Sequence, residues 1–381
     1  MPNYIVQSGD TFNSIARVYG IPLSSLIQAN PEVTDPDQLI IGQNIYFPTG
    51  YPLEKMVYVN SCVFMNIDSQ ILQNVLEYLT FLSICGYHVM RDGSLYGSEI
   101  DETAIIQQAR QAHVAPLLLI SNVDDNGYIS SDLAHELLAD KEAQQTLIDN
   151  IIYLLQTKNY YGLNIYFEDV YPSDKGFYTS FYQAVTQQLF PLGYVVVATD
   201  TLDINPNRSY LSYDTLDFEY FSRYVNQVFI VVSYAFRDPY GPPMATIPLD
   251  ELRQILNFAV SIIPSQSILM GLTLYGLDWT IPYNPEIPAQ LITYDQVKEL
   301  AGRKAAIVQF DEATQSPYFY YLDDMGLPHI IWFNNEQSLR LRLALVRIYN
   351  LGGISFWTTF DFSSDVFQIL DSMFIKVRKV L

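Results

Sequence analysis

Cysteine is scarce. The 381 residues include two, Cys62 and Cys85, too few for a disulfide framework, and each sits in an apolar stretch that suits a reduced, buried thiol. Positive charge is also scarce: 20 Lys and Arg stand against 41 Asp and Glu, for a formal charge of −21. No basic patch interrupts the acidic surplus. A chain of that sign repels a polyanion over most of its surface, which excludes nucleic acid as a partner. The four histidines have no metal-ligand spacing among themselves or with the cysteines, and no glycine-rich phosphate loop follows the first strand of the larger region. Neither a metal nor a nucleotide cofactor is expected. No window reaches the ~18 consecutive apolar residues of a membrane span. The opening Met1-Pro2-Asn3-Tyr4 shows no export signal, with neither a basic nor an apolar leader region.

What the chain does have is apolar and aromatic residues, 49% and 14% of the total, 30 of them Tyr. That composition supports a large packed core. At roughly 150 residues per domain the length allows about two to three domains, although one α/β barrel takes ~250 residues by itself. A break at Thr49-Gly50-Tyr51-Pro52 divides the chain into residues 1–50 and 51–381. In the first block, strand-like Tyr4-Ile5-Val6-Gln7 turns at Ser8-Gly9-Asp10. Phe12, Ile15, Ala16 and Tyr19 then recur at helical spacing up to Gly20. A second short helix, Pro22 to Asn30, and a returning strand, Gly42 to Pro48, complete a βααβ order.

This block resembles the LysM module, with Tyr4, Val6, Gly9, Asp10, Thr11, Ile15, Ala16, Leu26, Asn30, Pro31, Gly42, Gln43, Ile45 and Pro48 matching its pattern in order. The resemblance implies a shallow groove for N-acetylglucosamine-containing polymers, with Gly9, Asp10, Thr11, Phe12 and the segment Leu39, Ile40, Ile41 in contact with glycan. Asp10 and Thr11 also suit capping of the first helix. One copy gives no avidity gain, so binding by this module is expected to be modest.

Residues 51–381 alternate apolar runs with amphipathic stretches, the pattern of βα units around a parallel sheet. Eight strands are expected, at Met56 to Met65, Gly86 to Met90, Ala115 to Asn122, Gly162 to Glu168, Tyr194 to Thr199, Gln227 to Tyr234, Ser267 to Tyr275 and Gly353 to Trp357. Eight strands with intervening helices predict a closed (β/α)8 barrel. The gap between the seventh and eighth is too long for one helix. Its hairpin-like pieces predict an α+β insertion at about 280–335 forming one wall of a cleft. The fold class is therefore α/β, a TIM barrel with that insertion, preceded by the small βααβ domain.

The fourth strand is the most telling. In Gly162-Leu163-Asn164-Ile165-Tyr166-Phe167-Glu168 the period of two sends Leu163, Ile165 and Phe167 toward the helices, and Asn164, Tyr166 and Glu168 into the barrel. Glu168 then stands at the mouth, where a carboxylic acid can protonate a leaving oxygen. A solvated Glu ending an ordinary strand fits the same spacing. The strand is similar to the D-G-x-D-x-D-x-E signature of glycoside hydrolase family 18. Gly271 to Trp279, Gln315 to Phe319 and Gly353 to Trp357 resemble further motifs of its LysM-bearing, spore cortex-lytic N-acetylglucosaminidases.

The resemblance implies a hydrolase of N-acetylglucosamine linkages in peptidoglycan. Glu168 would be general acid/base, and the substrate's own N-acetyl oxygen would attack the anomeric carbon with retention. It assigns Tyr234 to the N-acetyl group and the reacting centre and Trp357 to the floor under the sugar; Asn164, Asp278, Trp279 and Asp200, just beyond the fifth strand, are further candidates for the substrate cleft. Trp357 also suits plain barrel packing. The sequence departs from the pattern at Tyr166, where the family has an Asp that steadies the positive charge developing on the acetamide. A phenol offers no such charge near pH 7, and Asp169 or Asp200 is a candidate replacement. The alternative is a catalytically silent glycan-binding or spore-coat protein. The resemblance further implies synthesis in the cytoplasm of a spore-forming bacterium and deposition on the spore.

Overall fold

The computed structural model describes residues 3–6, 11–19, 21–40, 43–46, 48, 55–97, 99–124, 126–202, 228–234, 239–357 and 363–377. At the N-terminus, β1 (Asn3–Ile5) pairs antiparallel with β2 (Asn44–Tyr46), and α1 (Phe12–Tyr19) and α2 (Leu23–Ala29) lie between them in sequence. Asn30 explains why its position takes an amide. Fully buried, it accepts from the Tyr46 N–H at 2.6 Å and donates to the Leu26 and Tyr46 carbonyls at 2.8 and 2.7 Å. One side chain thus closes the end of α2 onto the returning strand. Val6, Phe12, Ile15, Ala16, Leu26 and Ile45 form the core beneath.

Eight parallel strands close the large domain: β3 (Met56–Phe64), β4 (Phe81–Val89), β6 (Ala115–Ser121), β7 (Gly162–Tyr166), β8 (Val195–Leu202), β9 (Val228–Tyr234), β10 (Ile268–Thr273) and β16 (Gly353–Trp357). Each pairs with the next, and β16 pairs back onto β3, so the barrel has no open edge. The expected eight strands are all present. The second starts at Phe81, five residues before the Gly86 expected from sequence. Leu82 to Cys85 continue the apolar run of the preceding helix α3 (Ser69–Leu76) with little turn chemistry to mark the change. A short strand β5 (Leu95–Gly97) folds back antiparallel on β4.

Alternation along each strand sorts the side chains. Leu163, Ile165 and Phe167 pack outward, Phe167 stacking on Tyr178 and Phe181 of α7 (Lys175–Leu189). Inside, the layers change character with height. Phe81, Ala115, Leu117, Val197 and Leu269 fill the base. Above them runs a polar belt in which Thr199 donates to Asn164 Oδ1 (2.8 Å) and Asn164 Nδ2 to Ser83 (3.0 Å). Ser83 in turn donates to Asn60 Oδ1 (2.9 Å), and Asn60 Nδ2 to Ser355 (2.8 Å). All five residues are buried. Each polar atom in that chain has a partner of the right sense, which is the condition for burying it. Cys62, Cys85, Leu119 and Tyr166 form the top layer, with Ile129 and Trp357 against them.

Between β10 and β16 a five-stranded antiparallel sheet is inserted, in the order β12 (Gln290–Ile292), β11 (Gly276–Thr280), β15 (Pro328–Trp332), β14 (Ser316–Leu322), β13 (Gln309–Asp311). One face packs on helix α9 (Tyr294–Arg303) through Phe319, Ile331, Val297 and Leu300. The fully buried Arg342, on α10 (Glu336–Ile348), ties the insertion to the barrel. It donates to the carbonyls of Ile247, Gln315 and Ser338 and to the Ser316 hydroxyl. Burial lowers the guanidinium to about 9, which leaves it charged at neutral pH.

Candidate active site

The site is built on the end of β7. Asn164 lies in the belt, one layer below the mouth and fully buried, with its amide committed to Thr199 and Ser83. It supports the site from below and does not reach a substrate. An Asp there would bury a charge without a cation, whereas the neutral amide supplies one donor and one acceptor to the chain of bonds. Two residues on, the Tyr166 ring is 6% exposed. It packs on the Trp357 indole, centroids 4.7 Å apart at 50°, and its hydroxyl donates to Glu168 Oε2.

Glu168 is half-buried and lies just past the last residue of β7. Its main chain is clamped. The Glu168 N–H donates to Asn122 Oδ1 at 2.9 Å, and Asn122 Nδ2 donates back to the Glu168 carbonyl at 2.9 Å and to the Ser130 carbonyl at 3.0 Å. Asn122 is fully buried and follows the last residue of β6. Its side chain therefore replaces the peptide that would continue the ladder with β7, extending the pairing one step beyond the strands. The sequence reading missed this residue. An Asn after an apolar run looks like any loop opener, and only the register Ser121↔Tyr166 brings it to Glu168. Asp169, which follows, turns the chain with φ of 54° and is exposed.

Trp357 ends β16 half-buried beside Tyr166, so the two rings make a continuous aromatic floor. Thr273, its register partner on β10, holds a buried hydroxyl without a partner among the described residues. Asp200 lies within β8, opposite Val232, and not beyond the strand as expected. Tyr234 ends β9 opposite Leu202. The side chains of Asp200 and Tyr234 lie outside the described residues.

Asp278 and Trp279 do not line the cleft together, as the sequence reading had them. They are consecutive on β11, and consecutive strand residues face opposite sides of a sheet. Trp279 is 2% exposed, packed with Leu277, Ala289 and Ile330, and its indole N–H donates to the Gly241 carbonyl at 2.9 Å. Asp278 takes the Tyr321 hydroxyl at 2.6 Å and His329 Nδ1 at 2.9 Å on the other face. Burial raises its carboxyl above the usual value, and the bonds from Tyr321 and His329 partly offset this. In the small domain Phe12 is fully buried in the core and unavailable to glycan. Thr11 is half-buried, Leu39 packs partly on the core, and Ile40 is 74% exposed. Gly9, Asp10 and Ile41 lie outside the described residues.

A strand-end carboxyl at the mouth of a (β/α)8 barrel, above an aromatic floor, suits acid/base chemistry on a sugar ring. Comparison with known proteins agrees. Residues 56–361 match the model of glycosyl hydrolases family 18, and residues 4–48 match the LysM domain. The cortical fragment-lytic enzyme of Bacillus anthracis is 32% identical over 82% of this chain and 73% of that enzyme. The spore cortex-lytic enzyme SleL of Bacillus cereus superposes with a TM-score of 0.85 at 28% identity, over 99% of this chain and 88% of that one. A chitinase from Chromobacterium violaceum shares the fold, with a TM-score of 0.73 at 21% identity over 83% of this chain and 98% of that one. With four-fifths of its length inside the family model, the chain belongs to glycosyl hydrolase family 18 and is a glycoside hydrolase with a LysM domain ahead of its barrel.

Proposed function

We propose that the protein hydrolyses N-acetylglucosamine linkages in peptidoglycan-type glycan, with the spore cortex as the natural source. Glu168 acts as general acid and then general base. The reading rests first on the grip on Glu168, in which Asn122 fixes its main chain and Tyr166 its carboxyl. The relatives named for cortical fragments and cortex lysis supply the substrate class, and the LysM domain supplies a tether to the same polymer. Its place of action on this reading is the spore, after synthesis in the cytoplasm of a spore-former.

In the first step Glu168 protonates the leaving oxygen while the substrate's acetamide oxygen bonds to the anomeric carbon, giving an oxazolinium. In the second, the Glu168 carboxylate takes a proton from water. The water oxygen opens the ring, and the configuration is retained. Tyr166 serves both steps through one hydroxyl, donating to Glu168 when it is ionised and accepting from it when it is protonated. It brings no negative charge to the oxazolinium, and loss of one such preorganised contact commonly slows a reaction ~10²- to 10³-fold.

One observation favours the rival reading of a glycan-holding protein without turnover. The Tyr166 ring packs against Trp357 in the floor and fills space that the shorter Asp of the family pattern would leave open. Purified cortex fragments incubated with wild type and Glu168→Gln separate the readings, with new reducing ends followed by mass spectrometry. Release of N-acetylglucosamine ends by wild type alone supports hydrolysis. Binding by both without cleavage supports the holding role.

A further inference from the structure

Beyond β7 the barrel mouth carries a second polar and aromatic group that the reaction does not use, on the ribbon formed by β4 and β5. Strand β4 begins in step with the rest of the barrel. Phe81, Ser83 and Cys85 face the interior, and Leu82 and Ile84 face the outer core. Continued alternation would turn residue 87 inward and residue 88 outward. A bulge between Cys85 and Tyr87 reverses this. Tyr87 goes outward, against the outer core, and donates to Glu102 at 2.8 Å. His88 goes inward, with Nδ1 3.0 Å from the Ser121 hydroxyl. Ser121 is the register neighbour of Tyr166, so the reversal places an imidazole on the rim beside the floor of the site. Bulges that re-aim a side chain in this way are frequent next to active sites. Gly86 leaves room at the bulge for the Met65 side chain, whose terminal methyl carbon would lie 2.4 Å from a Cβ there.

The ribbon then continues past the barrel end, with Tyr87, His88 and Val89 opposite Gly97, Tyr96 and Leu95. Val89 is buried in the outer core, Leu95 packs on it, and Gly97 leaves space for the Tyr87 ring. That fixes the core-facing side. Directly opposed residues share a face, so His88 and Tyr96 both take the other side, toward the mouth. Tyr96 is 63% exposed. His88 is half-buried and has Ser121 as its one hydrogen-bond partner among the described residues.

We propose that His88 and Tyr96 form an outer glycan subsite, which binds a sugar of the substrate chain beyond the two on either side of the cleaved bond. The Tyr96 ring offers a face to the CH groups of a pyranose. The second imidazole nitrogen, with the ring oriented by Ser121, hydrogen-bonds an oxygen or hydroxyl of that sugar's ring substituents. This rests on the reading of the site as one for N-acetylglucosamine polymers and extends it: the enzyme prefers long glycan to short. The apolar contact and the hydrogen bond each strengthen binding without touching the reacting atoms, so they lower KM and leave kcat alone.

The test compares cortex octasaccharides with tetrasaccharides. Rates are measured with wild type, Tyr96→Ala, His88→Ala and His88→Gln, and affinities by calorimetry with the same three changes placed in Glu168→Gln. For octasaccharides, Tyr96→Ala and His88→Ala are each expected to raise KM and Kd about five- to tenfold at constant kcat. For tetrasaccharides the change stays under about twofold on the same scale. His88→Gln, which retains a donor and an acceptor, restores much of the loss. Equal losses at both lengths, or no loss at either, overturn the subsite. If wild type cuts neither fragment the hydrolase reading fails, while the calorimetric comparison still decides the subsite.

Discussion

Glu168, just past the end of β7, and Asp278, on β11, each accept a tyrosine hydroxyl, from Tyr166 and Tyr321 respectively. Their surroundings differ in kind. At Asp278 the other oxygen is taken by His329, so the carboxyl is consumed as a cross-link among β11, β14 and β15. At Glu168 the grip falls on the main chain, through Asn122, and the phenol comes from the same strand two residues back. A carboxyl that joins strands contributes stability. One whose backbone is fixed, so that the acid group can be aimed, suits proton transfer.

The largest difference is expected from removing each acid. Glu168→Gln keeps size and polarity but cannot give or take the proton. It should lower kcat by ~10²- to 10⁴-fold, the usual contribution of a positioned acid/base, with the thermal midpoint nearly unchanged. Steady-state kinetics on cortex fragments and a melting curve on the same sample check both halves. If Asp278→Ala loses activity to a similar degree, the contrast between the two residues is wrong.

The next effect tests Tyr166. Tyr166→Asp supplies the charge that the reaction step lacks and should raise kcat by up to ~10²- to 10³-fold. The same change removes a ring packed among Cys62, Cys85, Leu119 and Trp357 and should cost about 3 kcal/mol of stability, as large-to-small core changes do. Faster turnover in a less stable protein is therefore expected, read by kinetics and urea unfolding together. Slower turnover would show that the phenol's hold on Glu168 outweighs the missing charge.

A smaller effect is expected at the clamp. Asn122→Ala leaves the Glu168 N–H without its acceptor and two carbonyls without their donor. Loss of alignment should reduce kcat about tenfold with KM nearly constant. Asn122→Gln, which keeps a neutral acceptor for that N–H and a donor for the carbonyls, should recover part of kcat. A structural role alone would lower the melting point without that recovery.

The eight barrel strands were legible because buried parallel strands are continuous apolar runs bounded by turns. In β7 the alternation was clean enough to separate the faces. Legibility failed where geometry broke the period or where contact came from another strand. The bulge after Cys85 inverts the alternation and hides His88. Asn122 has meaning only through the register of β6 on β7. Asp278 and Trp279 look from sequence like two residues of one cleft, but they are neighbours on one strand and face opposite sides of its sheet. The LysM resemblance places Phe12 in the groove with Thr11, but its spacing to Ile15 and Ala16 marks the core stripe of α1.

The smallest effect concerns the pH dependence of the cross-link. Burial holds the Asp278 carboxyl above its ordinary value of 3.8, with Tyr321 and His329 drawing it partly back. The folded protein therefore binds that proton more tightly than the unfolded chain does. The stability this gives is fully present below the unfolded value and is lost as pH rises through the folded one. Asp278→Asn removes the titration, so its unfolding midpoint should be less sensitive to pH. Relative to the variant, wild type should lose stability as pH rises from below the ordinary carboxylate value into the mildly acid range. Carboxyls away from Asp278 cancel in the difference between the two urea midpoints, which then reports this group together with the Tyr321 and His329 side chains it touches. Parallel midpoints across that range would mean that His329 and Tyr321 compensate the burial in full, and Asp278 would then resemble an exposed carboxylate more than a buried cross-link.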